Sequence, residues 1–193
     1  MNGKDTAAAL KLLAAAFEQA PAIEVLKNRV EMGGVLSFDD IDPAAQPFFV
    51  ALLNRFFPKR PIIVATPGRK IQETFHQDLS TWLSLLNQAD ASNALFYPDW
   101  EILPHESKLP PVDVISDRLD ALTKLLLWQD EPTGNAPVVV ASASALMLKS
   151  FSPAELRQRT RKISVGESLD PLDLIEWLED QAYEPEAKVT QKG

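Results

Sequence analysis

Tyr97-Pro98-Asp99-Trp100-Glu101-Ile102-Leu103-Pro104, with the run Val112-Asp113-Val114-Ile115-Ser116-Asp117-Arg118-Leu119 that follows it, decides the fold class. Just upstream, Ala94-Leu95-Phe96-Tyr97 is an apolar run of strand length that ends in an aromatic residue. A Trp-Glu turn follows, then a Pro-rich link at Pro110-Pro111, then a periodic helix from Val112 to Trp128. Val112, Ile115, Leu119, Leu122 and Leu126 recur three and four apart, so the spacing predicts one apolar stripe. Asp113, Asp117, Arg118, Asp120 and Lys124 fall on the other face and are expected to stay in water. Strand, turn and long helix make half of an α/β layer. No catalytic motif lies within it.

Working outward, Pro61-Ile62-Ile63-Val64-Ala65 is continuously apolar without alternation, which predicts a parallel strand covered on both faces. Thr66-Pro67-Gly68 is its turn, and a helix runs from Arg69 to about Leu86. After a turn at Pro132-Thr133-Gly134-Asn135, Pro137-Val138-Val139-Val140-Ala141 is another fully apolar strand. Strands alternating with long helices predict a doubly wound α/β domain with a parallel sheet. Toward the N-terminus, the Ala-rich run Ala7 to Ala16 reads as a helix capped by Asp5 or Thr6, with Leu10, Leu13 and Phe17 on one face. Pro21 opens a second helix that runs through Val30 and stops at Gly33-Gly34. Val35-Leu36-Ser37-Phe38 has strand length. Asp42 is an N-cap before Pro43, with Pro47 a second possible start, and Phe48, Phe49, Leu52, Leu53 and Phe56 form the buried face of that helix.

The composition changes near Phe151. A short helix is expected at Ala154–Arg159, a half-buried strand at Lys162–Val165 broken by Gly166, and a helix from Asp170-Pro171 to Gln181 carrying Leu172, Ile175, Trp177 and Leu178. Ala187–Gln191 alternates like one more strand. This divides the chain into an α/β domain over residues 1–155 and the beginning of a small α+β domain over 156–193, too little to bury a core of its own.

The 193 residues are 46% hydrophobic and 24% charged, enough for a packed core. A formal net charge of −8 argues against a general nucleic-acid binder, because phosphate affinity rests on Lys and Arg. Without cysteine there is no disulfide framework, thiolate metal site or Cys nucleophile. The Ala-rich start is too short and too poor in large apolar residues to span a membrane, and the expected location is the cytoplasm.

A phosphate-binding loop needs glycines, a Lys and a Ser or Thr at a βα turn. Phe38-Asp39-Asp40-Ile41-Asp42-Pro43-Ala44-Ala45-Gln46-Pro47, after the first expected strand, has no Gly or Lys but several carboxylates. Each carboxylate about 4 Å from a phosphate charge costs roughly 1 to 4 kcal/mol, so ATP binding is rejected at this loop. Asp99, Glu101, His105 and Glu106 offer oxygen and nitrogen ligands, but their spacing matches no compact metal loop. His76, mid-helix with no nucleophile to join, is expected to be an exposed helix residue. Trp100 is expected to pack its ring over the sheet edge. Arg157, Arg159, Arg161 and Lys162 form a basic cluster that reads either as a contact for DNA or an acidic partner or as a solvated strand edge. Arg69 and Lys70, opening a helix behind a strand, are a second candidate contact for a nucleic-acid backbone.

These residues resemble the N-terminal, UvrB-homology region of the bacterial transcription-repair coupling factor (Mfd). In that family a Trp-Glu-x-Leu-Pro-Tyr-Asp loop precedes an Asp-Ile-Ile-Ser-x-Arg-Leu helix, matched here by Trp100–Pro104 and Asp113–Leu119. His105-Glu106 stands where the family has Tyr-Asp. Val138–Met147 and the tail from Tyr183 to Gly193 extend the likeness, which covers most of Ile62 to Gly193. The resemblance implies a degenerate helicase-like, P-loop-like domain without ATPase function, followed by the start of a UvrA-binding-type domain whose UvrA-contacting arginine falls just past the position of Gly193. It implies no catalytic residue, cofactor or metal in this chain. UvrA would be met through the complete second domain, RNA polymerase and DNA through regions further on. ATP and Mg would belong to the parent's translocase motor.

Overall fold

The computed structural model describes residues 12, 15–17, 19–87, 94–100, 102 and 109–184. The helix expected at Ala7–Ala16 and the strand expected at Ala187–Gln191 lie wholly or mostly outside them. The elements are α1 (Pro21–Met32), α2 (Gln46–Phe56), β1 (Ile62–Thr66), α3 (Arg69–Asn87), β2 (Ala94–Tyr97), α4 (Val112–Asp130), β3 (Val138–Ser142), α5 (Ala143–Met147), α6 (Pro153–Gln158) and α7 (Pro171–Asp180). The chain is an α/β protein built on a three-stranded parallel sheet of order β1-β3-β2. No helix among the described residues is long and apolar enough to cross a membrane.

β3 is the centre of this sheet, and all five of its residues are buried. Alternation sends its side chains to opposite faces. Val138 and Val140 pack with Ala51 and Leu52 of α2 and with Phe75, Leu79, Leu83 and Leu86 of α3. Val139 and Ala141 pack with Leu95, Tyr97, Ala121 and Ala145 on the α4 and α5 side. Residues 72, 75, 79, 83 and 86 put one stripe of α3 against the sheet, and full burial of Leu79 and Leu83 contributes about 1.5–3 kcal/mol each.

Several sequence expectations need correction. β1 is not covered on both faces: it is an edge strand, and Ile63 is 63% exposed. A continuously apolar run cannot tell a central strand from an edge strand, since that depends on where the third strand inserts. Val35–Phe38 is not a strand. Gly33 and Gly34 both turn at positive φ, Val35 is fully exposed, and Phe38 instead packs its ring on Phe49, with centroids 5.2 Å apart. Among the described residues the first strand-to-helix turn is therefore Thr66-Pro67-Gly68, and the loop tested above for phosphate binding does not directly follow a strand. In that loop Asp42 does cap, accepting from the Ala44 N–H at 2.8 Å. Both prolines are used: Pro43 opens a 3-10 turn, Pro43–Ala45, and Pro47 sits in the first turn of α2.

Lys162–Val165 is also irregular rather than a strand, with Val165 fully exposed and Ile163 half exposed. Among the described residues it has no strand to pair with, and alternation alone does not supply one. The two helices around it form as expected. Ser152 and Glu155 make a reciprocal capping box at α6, and Asp170 caps α7 by accepting from Leu172 N–H at 2.9 Å.

Candidate functional site

All three strands end on the same side of the sheet, at Thr66, Tyr97 and Ser142. In parallel α/β sheets, this carboxyl edge is where ligands and partners are met. Here it is built around Arg118. The spacing of α4 placed Arg118 in water, but the side chain is 1% exposed and is the largest fully buried one among the described residues. The buried face of α4 is Val114, Arg118, Ala121 and Leu126, while Val112 is 44% exposed. The helix is thus rotated from the stripe expected at Val112, Ile115, Leu119, Leu122 and Leu126. Asp113, Asp117, Asp120 and Lys124 are exposed as expected.

β2 ends at Tyr97, and the buried Pro98 that follows takes the donor for its carbonyl from α4. Arg118 Nη1 donates to Pro98 O at 2.6 Å, and Nη2 donates to the Tyr97 hydroxyl. The guanidinium carbon lies 4.1 Å from the Tyr97 ring centroid and 4.2 Å from that of Trp100. The cation is therefore covered by two π faces, each contributing about 0.5–2 kcal/mol. Burial pulls the Arg118 pKa below its ordinary value, while Tyr97 and the nearby Asp99 carboxylate act in the opposite direction. An arginine titrates so far above neutrality that it keeps its charge. Trp100, expected to pack over the sheet edge, is half-buried there with its ring against this guanidinium.

The rest of the edge is tied by side-chain hydrogen bonds. Ser144 Oγ donates to Asp99 Oδ2 at 2.7 Å and lies 2.9 Å from Ser142 Oγ. Ser142 in turn caps α5 by accepting from Ala145 N–H at 3.1 Å. Gln72 is fully buried on the inner face of α3, where its Nε2 bridges Tyr97 O at 2.9 Å and Val140 O at 3.0 Å. Thr66 Oγ1 donates to Ala141 O at 3.2 Å. Beside the stack opens a cleft of about 330 Å³, lined by Trp100, Arg118, Leu119, Leu122, Lys149, Ser150, Phe151 and Glu155. Hydrogen bonds from Ser152 hold Glu155 below the usual carboxylate range.

At this edge Ser142 and Ser144 are engaged by each other and Ser144 by Asp99. His76 was expected to be an exposed helix residue. It is half-buried elsewhere, its Nε2 3.1 Å from Ala94 O and its ring edge-on to Phe96. Among the described residues no cluster of His, Cys, Asp or Glu could hold a metal ion. Glu101, His105 and Glu106 lie outside the described residues.

The basic candidates fall into two places. Arg157 forms a two-pronged pair with Asp130 at the end of α4, with Nε 3.1 Å from Oδ2. The pairing lowers the Asp130 pKa and raises that of Arg157. Arg161 Nη2 lies 2.6 Å from Asp173 Oδ2, tying its segment to α7. Arg159 stands 5.7 Å over the Phe151 ring, and Lys162 is exposed. Two of these four cations therefore pair with carboxylates of their own chain, and neither the strand nor the strand edge expected there is present. Arg69 and Lys70 open α3 behind β1, with Arg69 Nε 2.7 Å from Glu73 Oε1.

The Arg118 stack was missed because helical periodicity treats every arginine as a solvent residue. The available signal was the company it kept, a Trp-bearing loop with Pro on both sides leading into the helix that carries it. Against known proteins, no family model, curated protein or solved structure matches the chain.

Proposed function

We propose that the chain is a non-enzymatic interaction and autoinhibitory module of the transcription-repair coupling type, the UvrB-homology front end of a DNA-repair translocase. The whole protein would use ATP and Mg in a motor elsewhere to displace a stalled RNA polymerase from DNA, then help recruit UvrA in the cytoplasm. The observation that supports this reading is the stack at Arg118. The Trp100 loop and the Asp113–Leu119 helix, the two halves of the most specific resemblance, are joined there by one side chain. The finer fold reading, a degenerate helicase-like domain followed by the start of a UvrA-binding-type domain, belongs to the same proposal. Thr66-Pro67-Gly68-Arg69 would occupy the place of the phosphate loop. Its single glycine and an Arg69 paired to Glu73 fit a lost nucleotide site better than a working one.

Calorimetric titration against UvrA tests the reading, comparing this chain with a version continued through a full second domain. Binding is expected from the longer version only, and silence from both defeats the recruitment reading. A rise in unfolding temperature with ATP and Mg would defeat the non-enzymatic one.

A second reading is a nucleic-acid-binding helicase-type domain, with Arg69 and Lys70 on a DNA backbone. What favours it is their place at the start of a 19-residue helix directly behind a parallel strand. The net charge of −8 opposes it. DNA binding that falls steeply with salt and is lost in an Arg69→Ala, Lys70→Ala double variant would establish it.

A further inference from the structure

The edge of β2 opposite β3 carries a second surface, whose lining takes Asp117 from the outer side of the helix that bears Arg118. A groove of about 450 Å³ runs along it, with Glu73 and His76 of α3 on one wall and Asp117, Asp120 and Lys124 of α4 on the other. Its floor is strand backbone. Ile62 N–H donates to Pro137 O, so alternation in a parallel ladder turns Val139 and Ala141 toward β1 and Val138 and Val140 toward β2. With Leu95 in register with Val139, Leu95 and Tyr97 pair with β3. The N–H and C=O groups of Ala94 and Phe96 then face the groove. His76 Nε2 at 3.1 Å from Ala94 O agrees with that direction. Among the described residues no further strand joins this edge.

We propose that this groove takes an extended, basic peptide segment, which adds to β2 as a fourth strand. Main-chain hydrogen bonds to Phe96 and to the Ala94 N–H would hold it, as in other cases of strand addition, the Ala94 carbonyl being already met by His76. Its cationic side chains would reach the groove walls, where three carboxylates face a single ammonium. Two of those acids already have partners: Glu73 pairs with Arg69 and Asp120 with Lys124, each at 2.7 Å and one turn away. Both pairs are about half exposed, and such i,i+4 pairs are weak enough for an incoming Lys or Arg to exchange with them. Asp117 lines the same wall as the Asp120–Lys124 pair. A strand edge is normally blunted by Lys or Pro. Among the described residues this one is flanked mainly by acids, which repel acidic segments and admit basic ones.

A fluorescein-labelled Lys-Val-Lys-Val-Lys-Val peptide, about 20 Å long when extended, is the probe, read by anisotropy with the full chain. Saturable binding is expected. An Asp117→Asn, Asp120→Asn double variant, checked by circular dichroism for an unchanged fold, should weaken it at least about tenfold. A copy of the peptide N-methylated at alternate residues should lose binding, and in amide spectra the parent should move Ala94 and Phe96. Three results would each overturn the proposal: no binding at millimolar peptide, equal binding by the N-methylated copy, or equal binding by the double variant. A Glu-Val-Glu-Val-Glu-Val peptide binding as well as the basic one would overturn it too.

Discussion

Replacing Arg118 with Ala leaves the Pro98 carbonyl and the Tyr97 hydroxyl without their donors inside a site from which the parent side chain is 99% excluded from solvent, its exposure being 1%. Two hydrogen bonds from a charged group contribute about 1.5–3 kcal/mol each, and the two ring contacts at 4.1 and 4.2 Å add to them. Ordering the arginine side chain costs up to about 2 kcal/mol in the other direction. These terms are not additive, and losses of about 3–5 kcal/mol are usual when one partner of a buried charged network is removed. The expected loss is therefore about 4 kcal/mol, or roughly 10 °C in unfolding temperature for a chain of this size. Urea unfolding followed by tryptophan fluorescence measures it. Arg118→Lys keeps the charge but not the planar fork that bonds two acceptors between two rings, so it should lose about half as much. A solvent-facing residue would change stability by less than about 0.5 kcal/mol. A value under about 1 kcal/mol for Arg118→Ala would refute the buried-stack reasoning and return Arg118 to the outer face of α4.

Two further outcomes check the sheet edge and the basic segment. Ile63→Thr should change stability by less than about 0.5 kcal/mol in urea unfolding, because an exposed edge position has little packing to lose. A loss above about 2 kcal/mol would mean that β1 is covered on that face after all. For the Asp130–Arg157 pair, the folded Asp130 pKa lies below its ordinary value of 3.8. Its contribution is therefore present above that value and disappears as pH falls through the lower folded pKa. Asp130→Asn should accordingly sit below the parent in thermal unfolding at neutral pH, and the gap should close as pH falls below the ordinary carboxylate value of 3.8. A gap that is constant with pH would show that the charge is not its cause.

The family proposal and the peptide groove rest on different parts of the molecule. The first depends on the Trp100–Arg118 junction at the carboxyl edge of the sheet, the second on carboxylates and backbone at the β2 edge. Mutations at Asp117 and Asp120 lie on the exposed face of α4, whereas Arg118 lies on its buried face. The two ideas can therefore fail separately.

Sequence by itself determined the alternation of strands and helices, because local apolar runs and their punctuation by Pro, Gly and capping residues are properties of neighbouring positions. β2 was read at its observed limits, β3 and α3 within a residue, and the caps at Asp42 and Asp170 were legible from residue type. Tertiary structure alone decided which strand is central, since strand order depends on pairing between segments far apart in the chain. β1 and β3 look equally apolar in sequence, yet β3 is wholly buried while Ile63 lies open at an edge. Tertiary structure also decided the rotation of α4. Periodicity ranked Arg118 with the solvent residues, but the carbonyl at the end of β2 and the rings of Tyr97 and Trp100 satisfy and cover its charge. A polar side chain moves inside when distant groups are positioned to bind it, and one-dimensional spacing does not record where those groups are.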